Sequence, residues 1–266
     1  MTLGISRSGF SAYCARKPSD RQLENEVLSQ KIREVFEQHS GRYGAKRIAH
    51  SLQDEGIKVN RKRVVKLMRT MGLYAKGAGR AYRNYNKHHS NRAYPNVLQQ
   101  DFTTDCRNKV WFGDITYVPT HEGYLYLAAF LDLSTRKIVG WSIASTMTEQ
   151  LAMDAFLQGF GKEQPAAGLI VHTDQGSQFT GGKFTMLVKS KGAIPSNSAK
   201  GNPYDNALME SFYKTLKREL VNNAGFKTKD EARQALVSYI ELYYNSVRKH
   251  SALGYLAPRE YEELNS

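Results

Sequence analysis

The sequence predicts an α/β protein with a mixed five-stranded sheet, preceded by an all-helical and basic region. From Val110 onward, short runs rich in β-branched and aromatic residues are separated by turns, three in succession and then two that alternate with helical segments. Residues 41–92 contain 14 Lys and Arg against only Asp54 and Glu55, so most of the net charge of +13 lies there. A segregated basic block predicts a polyanionic partner.

The basic region carries the signals of successive helices. Apolar residues recur at helical spacing over residues 19–39, and Ser19 followed by Gln22 predicts a capping box at the start of this helix. Residues 45–52 and 61–71 predict two further helices joined by a short turn. Helix, short turn and basic helix are typical of a helix-turn-helix, whose second helix enters the major groove of DNA. A plain two-helix hairpin with a solvated charged face is the alternative.

The candidate DNA contacts are the cations of this pair of helices. They are Arg42, Lys46, Arg47, Arg61, Lys62, Arg63, Lys66 and Arg69. Residues 74–94 then interleave cations with tyrosines and lack apolar periodicity, which predicts a linker. Its aromatic rings could stack on unpaired bases while its cations follow phosphates, or it could be a simple connector.

The second half of the chain predicts the sheet. Residues 111–118, 124–133 and 137–145 predict an antiparallel meander of three strands. The elements predicted next are a helix over 148–160, a strand over 168–173, a helix near 183–191 and a strand over 193–196. A helix around Glu210 follows, and then a helix over 228–245, which Thr228 and Glu231 open as a capping box.

Three carboxylates in different settings indicate the chemistry. Asp114 lies within an apolar strand, where an unpaired charge is costly, and Asp174 ends another strand, where open sheets place ligands. Glu210 follows on a helix, with 35 residues between it and Asp174. Mg²⁺ prefers oxygen ligands, and two such ions roughly 3.5–4 Å apart can activate an attacking hydroxyl and stabilise the leaving oxygen. The pattern predicts a metal-dependent phosphoryl-transfer site.

Other classes of protein are disfavoured. The chain has two cysteines and no Cys-x-x-Cys pair, which argues against a zinc module. The longest apolar stretch, Tyr124–Leu133, is far shorter than the roughly 20 residues of a membrane span. Residues 1–10 lack the apolar core of a signal peptide. We therefore expect a cytoplasmic protein without a membrane partner.

Several motifs occur together in order. They are residues 111–117 (WFGDITY), 172–179 (HTDQGSQF), 201–207 (GNPYDNA) running into 210–212 (ESF), and a C-terminal set of Tyr244, Asn245, Arg248, His250, Leu253, Gly254 and Pro258. Upstream, residues 42–44 (RYG) with Arg47 and Ile48 also match. With these motifs the chain resembles the catalytic protein of bacterial insertion sequences of the insertion-sequence-three family. That family is a branch of the DDE transposases, which are related to retroviral integrases. Gly113 departs from the pattern, since many relatives have Thr there.

The resemblance implies a ribonuclease-H-like integrase core that holds two Mg²⁺ or Mn²⁺ ions at Asp114, Asp174 and Glu210. Lys217 matches a basic position that contacts DNA at the element end, and Lys214 lies one turn from Glu210 on the same helix face. For both lysines, simple support of the helix by i,i+4 pairing is the alternative.

The implied activity is that of a transposase that binds the ends of an insertion sequence, cleaves them and transfers the 3′-hydroxyl strand. The implied partners are the terminal inverted repeats, target DNA, further copies of the chain on paired ends, and an upstream-frame protein or fusion. The protein would associate with the nucleoid when bound to DNA. A structure-specific nuclease of the same fold and a DNA-binding regulator without catalysis are the alternatives.

Three residues near these motifs have open roles. His172 shares a strand face with Asp174 and could contact phosphate or be an ordinary core histidine. Asn206 is expected to cap the helix of Glu210. Arg248 could serve in packing or in DNA contact.

The predicted organisation has five parts. They are an N-terminal helical segment (1–40), a helix-turn-helix DNA-binding region (41–73), a basic aromatic linker (74–108), the DDE catalytic core (109–222) and a helical extension of the core (223–266).

Overall fold

The computed structural model describes residues 6–15, 17–77, 94–98, 104, 106–198 and 203–265. The chain divides into two units, Met1–Ala78 and Gly79–Ser266. Much of the predicted linker, residues 78–93, lies outside the described residues. No helix among the described residues is long and apolar enough to cross a bilayer. The predicted five-part division stays a prediction.

The described part of the N-terminal unit is helical. Its elements are α1 (Arg7–Ala15), α2 (Asp20–Gln38), α3 (Ala45–Asp54) and α4 (Arg61–Thr70). The capping box of Ser19 and Gln22 at the start of α2 is confirmed. The side chain of Asn60 caps α4 by accepting a hydrogen bond from the backbone N–H of Lys62. The buried apolar residues of α2, α3 and α4 are Leu28, Ile32, Val35, Ile48, Ala49, Leu52, Val64, Leu67 and Met68. Helix α1 was not predicted and buries no residue.

The second unit contains the sheet. Its strands are β1 (Val110–Thr120), β2 (Gly123–Asp132), β3 (Ile138–Ala144), β4 (Ile170–Thr173) and β5 (Ile194–Asn197), in the order β3-β2-β1-β4-β5. The strands β1, β2 and β3 form an antiparallel meander, while β4 pairs with β1, and β5 with β4, in parallel. The predicted mixed sheet and meander are confirmed.

Helices cover both faces of this sheet. The α-helices described in this unit are α5 (Glu149–Glu163), α6 (Ser177–Thr180), α7 (Gly182–Ser190), α8 (Ala207–Glu219), α9 (Lys229–Ser238) and α10 (Pro258–Leu264). On one face Trp111 and Phe130 pack with apolar residues of α5, α6 and α7. On the other face Phe112 packs with apolar residues of α8 and α9. Because side chains alternate along a strand, Asp114 lies on the face of Phe112 and α8.

Two predictions for the C-terminal segment are wrong in detail. Helix α9 ends at Ser238 and continues as a π-helical segment, Tyr239–Tyr244, rather than as one regular helix. The side chain of Thr228 accepts from the backbone N–H of Glu231, but the Glu231 carboxylate accepts from the N–H of Lys227 at 2.8 Å. Only one of the two hydrogen bonds of the capping box is therefore formed. The Glu231 carboxylate accepts from the N–H of Lys227, one residue before the cap, instead of from the N–H of Thr228.

Candidate active site

Asp114 lies on β1, and Asp174 is the first residue after β4, the parallel strand next to β1. Gly113 pairs with Thr173 in the β1–β4 register, and the two aspartates are the next residue along each strand. Neighbouring strands run about 4.8 Å apart, so the register brings both backbones together. Strand β4 ends at Thr173, whereas β1 continues and stays paired with β2. Asp174 therefore lies just outside the sheet, next to the position of Asp114 on β1. Asp114 is buried and Asp174 is half-buried.

Each aspartate also organises the backbone around it. Oδ1 of Asp114 accepts a hydrogen bond from the N–H of Ile115 at 2.7 Å, and Oδ1 of Asp174 accepts from the N–H of Gly176 at 3.0 Å. The side-chain amide of Asn197 donates to the carbonyl oxygen of Asp174 at 3.0 Å. The loop after β4 is thereby tied both to its aspartate and to β5.

Glu210 lies in the first turn of α8, and Tyr213 joins that helix to β1. The Tyr213 hydroxyl donates to the carbonyl oxygen of Asp114 at 2.5 Å and also lies 3.2 Å from that of Leu127 on β2. Burial, and then the negative charge of Asp114, raises the pKa of Tyr213 well above its ordinary value, so the hydroxyl stays protonated. Tyr213 therefore places the turn that follows Glu210 against the strand of Asp114.

The fit to a metal ion is carried by the aspartate pair. Mg²⁺ commonly uses one or two protein carboxylates and completes its shell with water and substrate phosphate, and Asp114 and Asp174, one residue beyond the paired Gly113 and Thr173, would fit that donor set. Within the described residues, no three His, Cys, Asp or Glu side chains come close enough together to hold a metal ion. Glu210 therefore lies on α8, which packs against the strand of Asp114. Its carboxylate does not form a cluster with those of Asp114 and Asp174 in this structure.

His172 is a buried core histidine. Its Nδ1 lies 2.9 Å from the hydroxyl oxygen of Ser196 and its Nε2 lies 3.3 Å from that of Ser198. Burial lowers its pKa to about 4, against the opposing charge of Asp205, so the ring is neutral at physiological pH. Of the two roles left open for His172, the geometry favours the structural one.

Asn206 does not cap α8 with its side chain, although its position predicted that it would. It stands at the N-cap of α8 with φ −120° and ψ 23°, and its side chain makes no capping hydrogen bond. The N-cap residues of α2, α4 and α5 are extended, and their side chains accept hydrogen bonds from the first turn of the helix. The backbone of Asn206 is not extended, so its side-chain amide does not reach the first turn of α8. The amide is buried, and neither of its polar atoms has a hydrogen-bond partner among the residues that the structure describes. The expectation of a cap is corrected.

The predicted DNA contacts differ in how accessible they are. Arg61, Lys62, Lys66 and Arg69 are exposed on α4, and Lys46 is exposed on α3. Arg63 instead donates to Glu24 and to Asn25 of α2, at 2.9 Å in each case. Arg42 and Arg47 are half-buried, and the Arg47 guanidinium lies 5.5 Å from the centre of the Tyr43 ring.

The two lysines of α8 also differ. Lys214 is exposed, and Lys217 is half-buried with its ammonium 4.4 Å from the centre of the Tyr117 ring. Such a cation–π contact holds the long side chain of Lys217 beside β1.

Sequence reasoning did not find the structural roles of Tyr213, Asn245 and Glu219. The Tyr213 hydroxyl gave no signal, since its spacing in α8 is that of any core position. Asn245 accepts from the N–H and donates to the carbonyl of Ile138, which fastens the C-terminal segment to β3. Glu219 forms a buried ion pair with Arg248 at 2.9 Å, so Arg248 serves in packing.

Comparison with protein families agrees with this geometry. The family model described as Integrase core domain matches residues 104–203, and a second model of the same description matches residues 191–258. The model described as HTH-like domain matches residues 22–81. Fold and matches together define an integrase-core enzyme, a polynucleotidyl transferase, with a helix-turn-helix-like region ahead of the core.

Similar proteins specify the family. The chain is 55% identical to the transposase for insertion sequence element IS904 of Lactococcus lactis, over 94% of this chain and 99% of that protein. It is 37% identical to an insertion element IS600 protein of Shigella sonnei (98% and 96% covered) and 36% identical to transposase InsF for insertion sequence IS3A of Escherichia coli (99% and 92%). The chain belongs to the IS3 family of insertion-sequence transposases.

Solved structures of low sequence identity resemble the chain as well. A chain of the simian T-cell lymphotropic virus intasome with PP2A regulatory subunit B56 gamma is 14% identical, with a TM-score of 0.46, over 83% of this chain and 70% of that one. The HTLV-2 integrase catalytic core domain in complex with magnesium is 18% identical, with a TM-score of 0.43, over 58% and 96%.

Proposed function

We propose that this transposase cleaves insertion-sequence ends and joins the freed 3′-hydroxyl to another phosphodiester, using two divalent metal ions held by Asp114, Asp174 and Glu210. The observation that carries the proposal is the β1–β4 register, which sets Asp114 beside Asp174. Family membership supports transposition as the reaction. Bound at these carboxylates, Mg²⁺ or Mn²⁺ would activate the attacking hydroxyl and stabilise the leaving oxygen.

The roles of the protein groups follow from their settings. The buried Asp114 and the half-buried Asp174 would supply two negative charges at the carboxyl end of β4. Glu210 would complete the set from α8, which Tyr213 docks on β1. Lys214 and Lys217, one and two turns beyond Glu210, would contact the phosphates of the element end. Water and the 3′-hydroxyl would serve as successive nucleophiles, so no covalent protein–DNA intermediate is required.

The N-terminal unit would hold the terminal repeat. Helix α4 presents Arg61, Lys62, Lys66 and Arg69 to solvent, as a recognition helix requires. Arg63 is better placed to brace α4 on α2 than to reach a base, because its guanidinium is engaged with Glu24. The role of Arg42, Lys46 and Arg47 would be phosphate contact beside that helix. Two ends must meet, so a homo-oligomer on DNA, with an upstream-frame protein or fusion, belongs to the same proposal, as does action at the nucleoid.

The test is an assay of nicking and end joining. Purified full-length protein is incubated with labelled duplex carrying the terminal repeat and flanking DNA, in Mg²⁺ or in EDTA. Asp174→Asn removes one charge at the pair. Asp154→Asn is the matched control, because Asp154 is an exposed carboxylate on α5 whose partner is Gln150. Metal-dependent nicked and joined products from wild type and control, absent from Asp174→Asn, are expected.

Other results would favour the alternatives. Cleavage without any joined product would indicate a structure-specific nuclease. Binding of the terminal repeat without cleavage, even in Mn²⁺ and with the upstream-frame protein added, would indicate a regulator that lacks catalysis.

A further inference from the structure

The buried hydroxyl of Tyr213 makes a polar contact that joins the helix of Glu210 to the strand of Asp114. It lies against two strands at once, 2.5 Å from the carbonyl oxygen of Asp114 on β1 and 3.2 Å from that of Leu127 on β2. Tyr213 is 3% exposed, and its ring packs on Phe212 with 5.1 Å between centroids. A buried tyrosine hydroxyl requires a partner, and here the partner is the backbone of the residue that carries the first carboxylate.

This contact lies close enough to Glu210 along α8 to affect where Glu210 is placed. Residues three apart on a helix are surface neighbours, so Tyr213 lies almost one turn after Glu210. The first turn of α8 has no side-chain cap, because Asn206 makes no capping hydrogen bond. Met209, Phe212 and Leu216 hold the helix by apolar packing, which is not directional, whereas a hydrogen bond is.

We propose that Tyr213 is a positioning residue: its hydroxyl sets the separation and rotation of α8 relative to β1, and thereby places Glu210 relative to Asp114. The inference rests on the proposed function, since it concerns the metal-binding use of these carboxylates. A phenylalanine would fill the same space without the directional bond. Groups that orient metal ligands affect metal affinity although they do not touch the ion.

The test uses the full-length protein and Mn²⁺ alone, without DNA. Mn²⁺ affinity is measured from the electron paramagnetic resonance signal of the free ion, and melting temperature is measured in parallel. Tyr213→Phe removes the hydroxyl. Tyr239→Phe is the matched control, because Tyr239 is similarly buried and its hydroxyl donates at 2.9 Å to Glu219, the last residue of α8. Asp174→Asn reports binding at the aspartate pair.

The expected result is a selective loss of metal affinity. Tyr213→Phe should raise the Mn²⁺ dissociation constant by about tenfold, in the range measured for groups that orient metal ligands. Tyr239→Phe should lower the melting temperature but leave the dissociation constant unchanged. In the nicking assay, Tyr213→Phe should need correspondingly more Mg²⁺ for half-maximal rate, with the rate recovering at saturating metal. If Tyr213→Phe does not fold, Tyr213→Met, which also lacks the hydroxyl, is measured in its place with the same expectation.

Two outcomes would overturn the inference alone. One is wild-type affinity for Mn²⁺ in the Tyr213 variant, and the other is an equal loss of affinity in Tyr239→Phe, which would make the effect one of general stability. If wild type shows no Mn²⁺ binding that Asp174→Asn removes, the proposed function fails together with the inference.

Discussion

Gly113 and Phe130 are paired across β1 and β2, and the ring of Phe130 occupies the space above Gly113. A Cβ atom at position 113 would lie 2.4 Å from Cε1 of Phe130, well inside contact distance. The ring is fully buried and stacks at 6.2 Å on Phe184, so it has little room to move. A side chain at position 113 would therefore collide with Phe130, on the face of the sheet opposite the Asp114 side chain.

This relationship predicts compensation between the two positions. Gly113→Thr alone should destabilise the fold by roughly 1–3 kcal/mol through overpacking, and Phe130→Leu alone by a similar amount through a cavity. The double variant should lose less than the sum of the two. Denaturant unfolding of all four proteins measures the coupling. Strict additivity would mean that the ring moves aside without cost.

Removing one partner of the buried ion pair between Arg248 and Glu219 is expected to destabilise the protein strongly. Burial opposes the charge on Arg248, but Glu219 beside it raises its pKa above the ordinary value. Arg248→Met should cost about 3–5 kcal/mol, because it leaves the Glu219 carboxylate buried and uncompensated. Adding Glu219→Leu should recover much of that loss, which urea unfolding can measure. A single variant as stable as wild type would show that the pair is solvated.

Lys137 predicts a specific alkaline sensitivity. Its ammonium lies 2.9 Å from Glu163 and 2.6 Å from Glu262. Burial lowers its pKa, but the two carboxylates outweigh burial and raise the pKa above 10.5. The stabilisation is therefore fully present below the unfolded value and is lost as pH rises through the higher folded value. The melting temperatures of wild type and Lys137→Met should converge as pH rises through the folded pKa of Lys137, whereas a constant difference would exclude this linkage.

The cations of α4 are predicted to divide into two kinds. Lys62→Gln and Lys66→Gln should each reduce the slope of log affinity against log salt by about one, since each exposed ammonium would meet a phosphate. Arg63→Gln should mainly lower the melting temperature, because it breaks the contacts with Glu24 and Asn25. Binding of the terminal repeat across a salt series distinguishes them. Equal salt slopes in Lys62→Gln and wild type would remove α4 as the DNA-facing helix.

Local patterns in the sequence determined the elements of this protein. Alternation and β-branched runs predicted the five strands, and helical spacing with caps such as Ser19 predicted most of the helices. These signals depend on residues within a few positions of one another, which is why they can be read without the fold. The π-helical segment Tyr239–Tyr244 was not predicted, because no local pattern distinguishes the spacing of its residues from that of an α-helix.

The sequence also determined which residues are candidates for the site, since a carboxylate in an apolar strand stands out by composition alone. Only the tertiary structure decided where these residues lie relative to one another. The parallel register of β1 with β4 sets Asp114 beside Asp174, and the Tyr213 hydroxyl docks the helix of Glu210 on β1. Tertiary packing also assigned Arg248 to a core ion pair and left the amide of Asn206 without a cap bond. These outcomes depend on contacts between residues that are distant along the chain, and no local pattern encodes such contacts.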